Sequence, residues 1–291
     1  IGKFTVDVSP KNDAGKANPY AAVVSAGDKA YVVRYAQNSL TIIDPTTGTI
    51  KGSVDLSAYV ADPDGLVDVF DGIVDSAAKR AYFGLQRINQ NVFGSAPDYV
   101  GPCTDVKALL VGVDLDTNQV VDLNGSAPGE GLELASKNPS AIAWDATQKR
   151  IVVLGTGCAS GDKREGRGLE ALDPATGLST WLWKSSLLDR PAVLLWTGSS
   201  AIVGLDDAQF TRHWYPLASG ASSLGTELTG VPTAPVFDGQ GALVGLENVK
   251  TDGGSNMQVV RFDLNSKTKD VLRTEAFELK GLTSTSSALI R

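Results

Sequence analysis

Short apolar runs separated by small polar turns repeat along the chain. Each unit opens with an apolar run, a polar turn and a second apolar run, as in PYAAVVSAGDKAYVVRY from Pro19 and PSAIAWDATQKRIVVLG from Pro139. The same pattern returns from Val69, Pro191 and Pro232. The runs are four to seven residues long and rich in β-branched and aromatic residues. This composition favours strands over helices.

A tight turn follows each of these paired runs. It has the sequence DPTTG at Asp44 and DPATG at Asp173, and its equivalents lie at Asp114, Tyr215 and Asp263. In such a turn Pro presets φ, the Asp carboxylate accepts backbone N–H bonds, and Gly supplies a positive φ. Because a final short run closes each unit, we predict four strands in every unit.

The spacing of these turns indicates the architecture. Successive turns are 70, 59, 42 and 48 residues apart, and a propeller blade takes about 40 to 50 residues. We therefore predict an all-β fold, a β-propeller of four-stranded antiparallel blades, as a single domain over residues 1–291. A β-sandwich is the alternative fold.

The number of blades depends on the two ends of the chain. Five units cover about residues 18–277, and strand-like segments remain at 4–8 and 283–290. A sixth blade built from both termini would close the ring and remove exposed sheet edges. Six blades is the favoured count, and five or seven remain alternatives.

The segment AYVVRYAQNSLTIIDPTTGTI, residues 30–50, resembles the YVTN-type β-propeller repeat of bacterial and archaeal exported and cell-surface proteins. Later units keep only the outline of a strand followed by the Asp-containing turn, and Arg34 and Tyr35 replace the Asn-rich strand of that family. The resemblance implies a propeller outside the cytoplasm. It brings no catalytic residue with it.

Composition limits the expected partners and location. The formal net charge is −7 and the pI is about 4.8, and no stripe of Lys and Arg is present, so nucleic acid is not an expected partner. No apolar run reaches about 18 residues, so no transmembrane helix is expected. The start at Ile1 and the scarcity of Cys and Met favour an exported protein, whether periplasmic, cell-surface or extracellular.

Two units carry insertions between their second and third strands, at residues 89–107 and 156–168. In a propeller, these connections lie on the same face as the connections between blades. Cys103 lies in the first insertion and Cys158 in the second, in adjacent blades. We predict a disulfide between them, and two free buried thiols are the alternative.

Polar residues stand where the first, channel-lining strands begin. The equivalent positions are Asn18, Asp68, Asn138, Arg190 and Val231. Three residues further on, Asp71 occupies a position that is Ala or Val in the other units, and a buried carboxylate needs a partner. The predicted partner is Arg190, neighbouring backbone, channel water or a divalent cation. A Ca²⁺ site is one hypothesis, because Ca²⁺ takes oxygen ligands; its predicted ligands are Asp68, Asp71, Asn18 and Asn138.

Further charged and aromatic residues are candidates for binding a partner. Asp206, Asp207 and Glu247 could form an acidic patch on the insertion face, although solvated surface acids are common in an acidic chain. The complete set of binding candidates is Arg34, Arg87, Tyr99, Arg190, Asp206, Asp207 and Glu247.

Three functions are compatible with this pattern. The leading hypothesis is a non-enzymatic binding or scaffold propeller of the bacterial cell envelope or exterior, which engages a protein or surface partner through its long-loop face. The first alternative is a metal-dependent hydrolase or lactonase, similar to six-bladed gluconolactonase-type propellers. The second is a self-assembling structural subunit. The chain has no H-E-x-x-H, G-x-S-x-G or P-loop motif, so no catalytic residue is assigned.

Overall fold

The computed structural model describes residues 6–8, 19–25, 29–61, 63–89, 101–124, 131–160, 163–185, 190–198, 200–207, 209–251 and 254–274. These residues form five antiparallel sheets, each built from consecutive strands. The sheets are the blades of a β-propeller, which confirms the predicted all-β fold. Among these residues, no helix is long and apolar enough to cross a membrane.

The strands follow the chain from the inside of each blade to its outside. Blade 1 contains β1 (Pro19–Ser25), β2 (Lys29–Arg34), β3 (Ser39–Ile43) and β4 (Ile50–Asp55), and a 3-10 turn follows at Ser57–Tyr59. Blade 2 contains β5 (Val69–Asp75), β6 (Arg80–Leu85), β7 (Leu109–Asp114) and β8 (Val120–Val121), with β9 (Leu132–Glu133) also paired to β7. Blade 3 contains β10 (Pro139–Asp145), β11 (Arg150–Ser160), β12 (Lys163–Leu172) and β13 (Ser179–Lys184).

Blades 4 and 5 complete the described part of the ring. Blade 4 contains β14 (Arg190–Trp196), β15 (Ala201–Asp206) and β16 (Arg212–Leu217), and blade 5 contains β17 (Thr233–Phe237), β18 (Ala242–Thr251), β19 (Gly254–Asp263) and β20 (Lys269–Thr274). The fourth strand predicted for blade 4 is replaced by one isolated bridge between Trp214 and Leu228. The intervening ASGASSLGTELTG segment is rich in Gly and Ser, which pair poorly as strands.

The first strand of each blade is the inner strand, and the inner strands lie side by side around a central channel. Packing runs from β1 to β5, β10, β14 and β17 in turn. The described residues therefore form five blades, which was an alternative count, whereas six was favoured. The predicted sixth blade lies outside the described residues except for residues 6–8, which form no strand.

Every inner strand has an irregular register with its neighbour at the same place. The shift falls just after the first residue of the strand in all five blades: between Pro19 and Ala21, Val69 and Asp71, Pro139 and Ala141, Pro191 and Val193, and Thr233 and Val236. Such bulges re-aim the side chains that follow them. Asp71 is one of these side chains.

The turn between the third and fourth strands confirms the repeat alignment. The final residue of the turn has a positive φ in every unit: Gly48 at 74°, Asn118 at 58°, Gly177 at 71°, Gly220 at 75° and Lys267 at 57°. In four units an Asp carboxylate accepts backbone N–H bonds inside the turn; Asp44, for example, accepts from Thr46 at 2.8 Å. These bonds lower the pKa of the turn carboxylates.

Apolar cores fill the spaces between successive blades. Tyr31 of blade 1 meets Phe83 of blade 2 edge to face, with ring centroids 5.7 Å apart, and separate clusters join blades 2 and 3, 3 and 4, and 4 and 5. A polar chain also crosses three blades. The Tyr35 hydroxyl donates to Gln86 at 2.6 Å, and Gln86 Nε2 donates to the Pro139 carbonyl at 2.6 Å. Packing and hydrogen bonds thus hold the ring together.

A close contact inside blade 2 gives a test of this packing. A Cβ at Gly84 would lie 2.2 Å from ring atoms of Phe70, which is fully buried. Gly84→Ala is therefore expected to lower the free energy of unfolding by about 1–3 kcal/mol. Gly101→Ala, where a Cβ meets open space, should change it by less than about 0.5 kcal/mol. Urea denaturation of both variants measures the difference, and equal stabilities would contradict this packing.

Candidate functional site

The turns between second and third strands lie on one face of the ring, here called the loop face. The predicted disulfide is present there: Cys103 and Cys158 are bonded, with their Cα atoms 4.9 Å apart. The backbones beside it are also joined, because the Cys103 N–H donates to the Ala159 carbonyl at 2.8 Å and the Ala159 N–H donates to Gly101 at 2.9 Å. Blade 2 is therefore stapled to blade 3 by covalent and backbone bonds.

The second insertion is a β-hairpin rather than the loop that we expected. β11 and β12 remain paired to Ser160 and Lys163, beyond the ends of the shorter strands in blades 1 and 4. Lys137 fixes the base of this hairpin, since its carbonyl accepts from Gly157 and its N–H donates to Gly166, both at 2.9 Å. In the first insertion, residues 90–100 lie outside the described part of the chain. Tyr99 is among them.

The turn between β15 and β16 presents an aromatic side chain on the loop face. Phe210 is 56% exposed and has a φ of 61°, which is unusual for a bulky residue. The guanidinium carbon of Arg190 lies 4.1 Å from the centre of its ring. Arg190 also donates to the Asp207 carbonyl, and the Phe210 N–H donates to the same oxygen, both at 3.1 Å. The surrounding groups therefore hold a strained, exposed Phe in place.

The acids predicted to form a patch here are paired with other side chains. Asp206 accepts two bonds from the Arg212 guanidinium, at 2.7 and 2.9 Å. The His213 ring lies between Glu227 at 2.8 Å and Asp207 at 3.4 Å, and these two carboxylates raise the pKa of His213. These pairs offset much of the negative charge at the tip of blade 4.

The Glu247 carboxylate is also paired with other side chains, and these belong to blade 5. It accepts from Lys269 and, at 2.7 Å, from Gln258. These contacts lower its pKa. The predicted acidic patch is thus divided between two blades, and each of its three members has a hydrogen-bonding partner.

Two further binding candidates serve mainly to join backbone segments. Arg34 is buried, donating to the Val8 carbonyl at 3.0 Å and to the Ser39 hydroxyl at 2.6 Å, and burial lowers its pKa. Arg87 donates to the Lys107 carbonyl at 3.0 Å and so ties the two ends of the first insertion together. Both guanidinium groups therefore contribute to the framework of blades 1 and 2.

Backbone conformation explains the polar residues before the inner strands. Asp68 and Asn138 have φ values of 51° and 44°, and Asn and Asp tolerate this left-handed region better than most residues. The Asp68 carboxylate accepts the Ile88 N–H at 3.1 Å. Asn18 lies outside the described residues. Within the part that is described, no three His, Cys, Asp or Glu side chains group as a metal site, so the arrangement adds no support to the Ca²⁺ or lactonase hypotheses.

Asp71 lies in the channel wall, and backbone groups are its partners. Its Oδ1 accepts the Gly72 N–H at 2.8 Å, and its Oδ2 accepts the Ile142 N–H at 3.0 Å. Ile142 belongs to β10, so the carboxylate links the inner strands of blades 2 and 3. Burial raises its pKa to about 6, and the two N–H bonds oppose that rise. The sequence left several partners open for Asp71, and the structure shows that backbone N–H groups fill this role.

The sequence interpretation missed two groups of residues. One is Phe210, whose exposure and positive φ are not evident from its residue type. The other is a set of aromatic and aliphatic side chains that line the channel beside Asp71, among them Trp144, Trp196 and Phe237. The strand pattern in the sequence could have located the second group, because these residues end the inner strands.

Comparisons with known proteins support the fold. No protein-family model matches the chain, and no curated protein matches it. Among solved structures, it is similar to Kuenenia stuttgartiensis hydrazine synthase, with 13% identity and a TM-score of 0.56 over 92% of this chain and 69% of that one. It is also similar to a protein assigned as TolB from Agrobacterium tumefaciens, with 10% identity and a TM-score of 0.50 over 88% and 80%.

A third similar structure is an oligogalacturonate lyase in complex with manganese. It shares 12% identity and a TM-score of 0.51, and the match covers 86% of this chain and 64% of the lyase. Identities this low establish a shared fold and no shared activity. The YVTN resemblance remains a prediction.

The titration of Asp71 gives a pH-dependent prediction. A carboxyl whose pKa rises on folding, here from 3.8 to about 6, binds its proton more tightly in the folded protein. Stability should therefore decrease as pH rises through this interval and level off above it. Across the whole interval, the free energy of unfolding should fall by about 3 kcal/mol.

Asp71→Asn removes this titration. The free energy of unfolding of the wild type minus that of the variant should consequently fall between about pH 4 and about pH 7. Urea denaturation at several pH values measures it. A difference that stays constant over this range would show that the carboxylate is well solvated.

Proposed function

We propose that this chain is an exported, non-enzymatic binding propeller that engages a protein partner through its loop face. The observation that carries the proposal is the rigid presentation of this face. A disulfide and backbone bonds fix the hairpin of blade 3, and Arg190 and Asp207 fix the exposed Phe210 of blade 4. A stiff scaffold that carries projecting elements is a common arrangement for recognition.

Rigidity favours binding for a thermodynamic reason. A flexible loop loses conformational entropy when it is ordered by a partner, and this loss weakens association. The stapled hairpin is already ordered, because Cys158 and Ala159 are joined to residues 101–103. A partner that contacts this face therefore meets a surface whose shape is largely set before binding.

Phe210 has the properties of an interface anchor. Aromatic residues and Arg are enriched at the centres of protein interfaces, where a few side chains supply most of the binding energy. Phe210 exposes a large apolar surface, and its ring packs against the Arg190 guanidinium. Its left-handed backbone is also the kind of strain that persists at functional positions when the surroundings enforce it.

The disulfide supports a location outside the cytoplasm. Disulfides form and persist in oxidising compartments and are rare in reducing ones. We accordingly propose a location in the bacterial cell envelope or exterior, which is also what the YVTN resemblance implies. A protein on the cell surface, or a second copy of this chain, would be within reach of the loop face there.

Site-specific photo-crosslinking tests this proposal. A benzophenone amino acid replaces Phe210 in one variant and Leu178 in a matched control, and both are crosslinked in intact producing cells. Leu178 is 70% exposed and lies in the turn between β12 and β13, on the opposite face. We expect one discrete adduct from position 210, identified by mass spectrometry, and none from position 178.

A variant at Arg190 tests whether crosslinking depends on the way position 210 is held. Arg190→Ala removes the cation–π contact beneath the ring and should lower the yield of the adduct from position 210 several-fold. An adduct of two copies of the chain would identify the partner as a second copy and favour the self-assembling alternative. Equal yields from positions 210 and 178, or no adduct from position 210, would contradict the proposal.

A further inference from the structure

A cavity lies at the end of the central channel opposite the loop face. Its volume is about 730 Å³, and it is lined by residues of all five inner strands and of the turns that follow β14 and β17. Most wall side chains are aliphatic or aromatic: Ile73, Ile142, Trp144, Leu194, Trp196 and Phe237. Polar and apolar atoms contribute about equally to its lining, and its volume lies in the range typical of sites for small molecules.

One ionisable group lines this cavity. Asp71 is the only Asp, Glu, His, Lys or Arg among the described lining residues. Its carboxylate accepts hydrogen bonds from the neutral backbone N–H groups of Gly72 and Ile142. No cationic side chain of the described residues pairs with it. Within the described part of the chain, the cavity therefore contains a carboxylate that is fixed in position and has no cationic side chain paired with it.

The surroundings of Asp71 determine which cation would fit. A Ca²⁺ ion takes six to eight oxygen ligands, and the lining side chains provide the Asp71 carboxylate and one hydroxyl, that of Thr197. Aromatic rings instead attract organic cations through their π faces, with Trp the strongest. The Trp144 ring stacks on Tyr82, with ring centroids 6.3 Å apart, and Trp144 and Trp196 line the cavity together with aliphatic side chains. This lining matches a ligand whose charge is carried on an apolar body.

We propose that the channel cavity binds a small organic cation, an ammonium group on an apolar body, with Asp71 as its counter-ion. Binding would exchange cavity water for the apolar body of the ligand and would pair the half-buried Asp71 carboxylate with a cation. The raised pKa of Asp71 supports this assignment, because a carboxylate that is costly to ionise gains most from a cation beside it. The site is independent of the loop face, since the two lie at opposite ends of the channel.

Three probes that share a hexyl chain test the proposal by isothermal titration calorimetry. Hexyltrimethylammonium carries a positive charge, hexanol is neutral, and hexanoate is negative. At about pH 7.5 we expect the cation to bind about tenfold more tightly than hexanol, and hexanoate to bind more weakly than both. A change in tryptophan fluorescence on binding provides a second readout, because Trp144 and Trp196 line the cavity.

Two variants identify the counter-ion. Asp71→Asn should abolish the preference for the cation over hexanol while keeping the affinity for hexanol. Asp116→Asn, a matched change at an exposed turn where the acid pairs with Lys79 at 2.8 Å, should keep the preference. If Asp71→Asn does not fold, the wild-type series with the three probes decides alone.

Several outcomes would overturn the proposal. These are equal affinities of the wild type for the cation and hexanol, no binding of any probe, a cation preference that survives in Asp71→Asn, or displacement of the cation by stoichiometric CaCl₂. The last result would identify the site as a metal site. None of these outcomes bears on the crosslinking at Phe210, so the two proposals fail separately.

Discussion

The side-by-side packing of the inner strands around one channel is the constraint on which the rest of the molecule depends. The five inner strands all run in one direction along the channel. Every turn between second and third strands therefore lies on the same face. The same packing brings the Asp71 carboxylate within 3.0 Å of the Ile142 N–H in the next blade. Both proposed sites follow from this arrangement.

The two ends of the channel have different chemistry for a physical reason. At the loop face the chain leaves the sheets, and the added length is stabilised by a disulfide, by backbone bonds and by side-chain ion pairs. At the other end the inner strands and the turns that follow them line a cavity. A large rigid surface suits a protein partner, whereas a cavity with one charged side chain among its described lining residues suits a small ligand.

Features that depend on local turn chemistry were predictable from the sequence. The alignment of Asp44, Asp114, Asp173 and Asp263 located turns whose last residues have a positive φ, because a tight turn restricts which residues fit. The disulfide was predictable because propeller topology places the insertions that carry Cys103 and Cys158 on one face. The repeat pattern also indicated the propeller fold, since blades recur at a nearly fixed length.

Features that depend on backbone groups from distant segments were not predictable. Asp71 was recognised as exceptional, but a main-chain N–H donor such as that of Ile142 leaves no mark in a sequence. Asp68 and Asn138 were interpreted as possible metal ligands, although a left-handed backbone accounts for their polar identity. Blade 4 lacks a regular fourth strand because the segment after β16 has the composition of a loop, and repeat alignment alone did not reveal this.

Amide hydrogen exchange at Ile142 tests the packing of the inner strands most directly. Its N–H donates to the Asp71 carboxylate of the neighbouring blade, so exchange measured by NMR should be slow in the wild type and faster by at least about tenfold in Asp71→Ala, which removes the acceptor. Exchange at Val153, which pairs with Ile142 within blade 3, should stay nearly unchanged. Equal exchange of the Ile142 amide in the two proteins would contradict the bond between blades, and with it the placement of Asp71 in the channel.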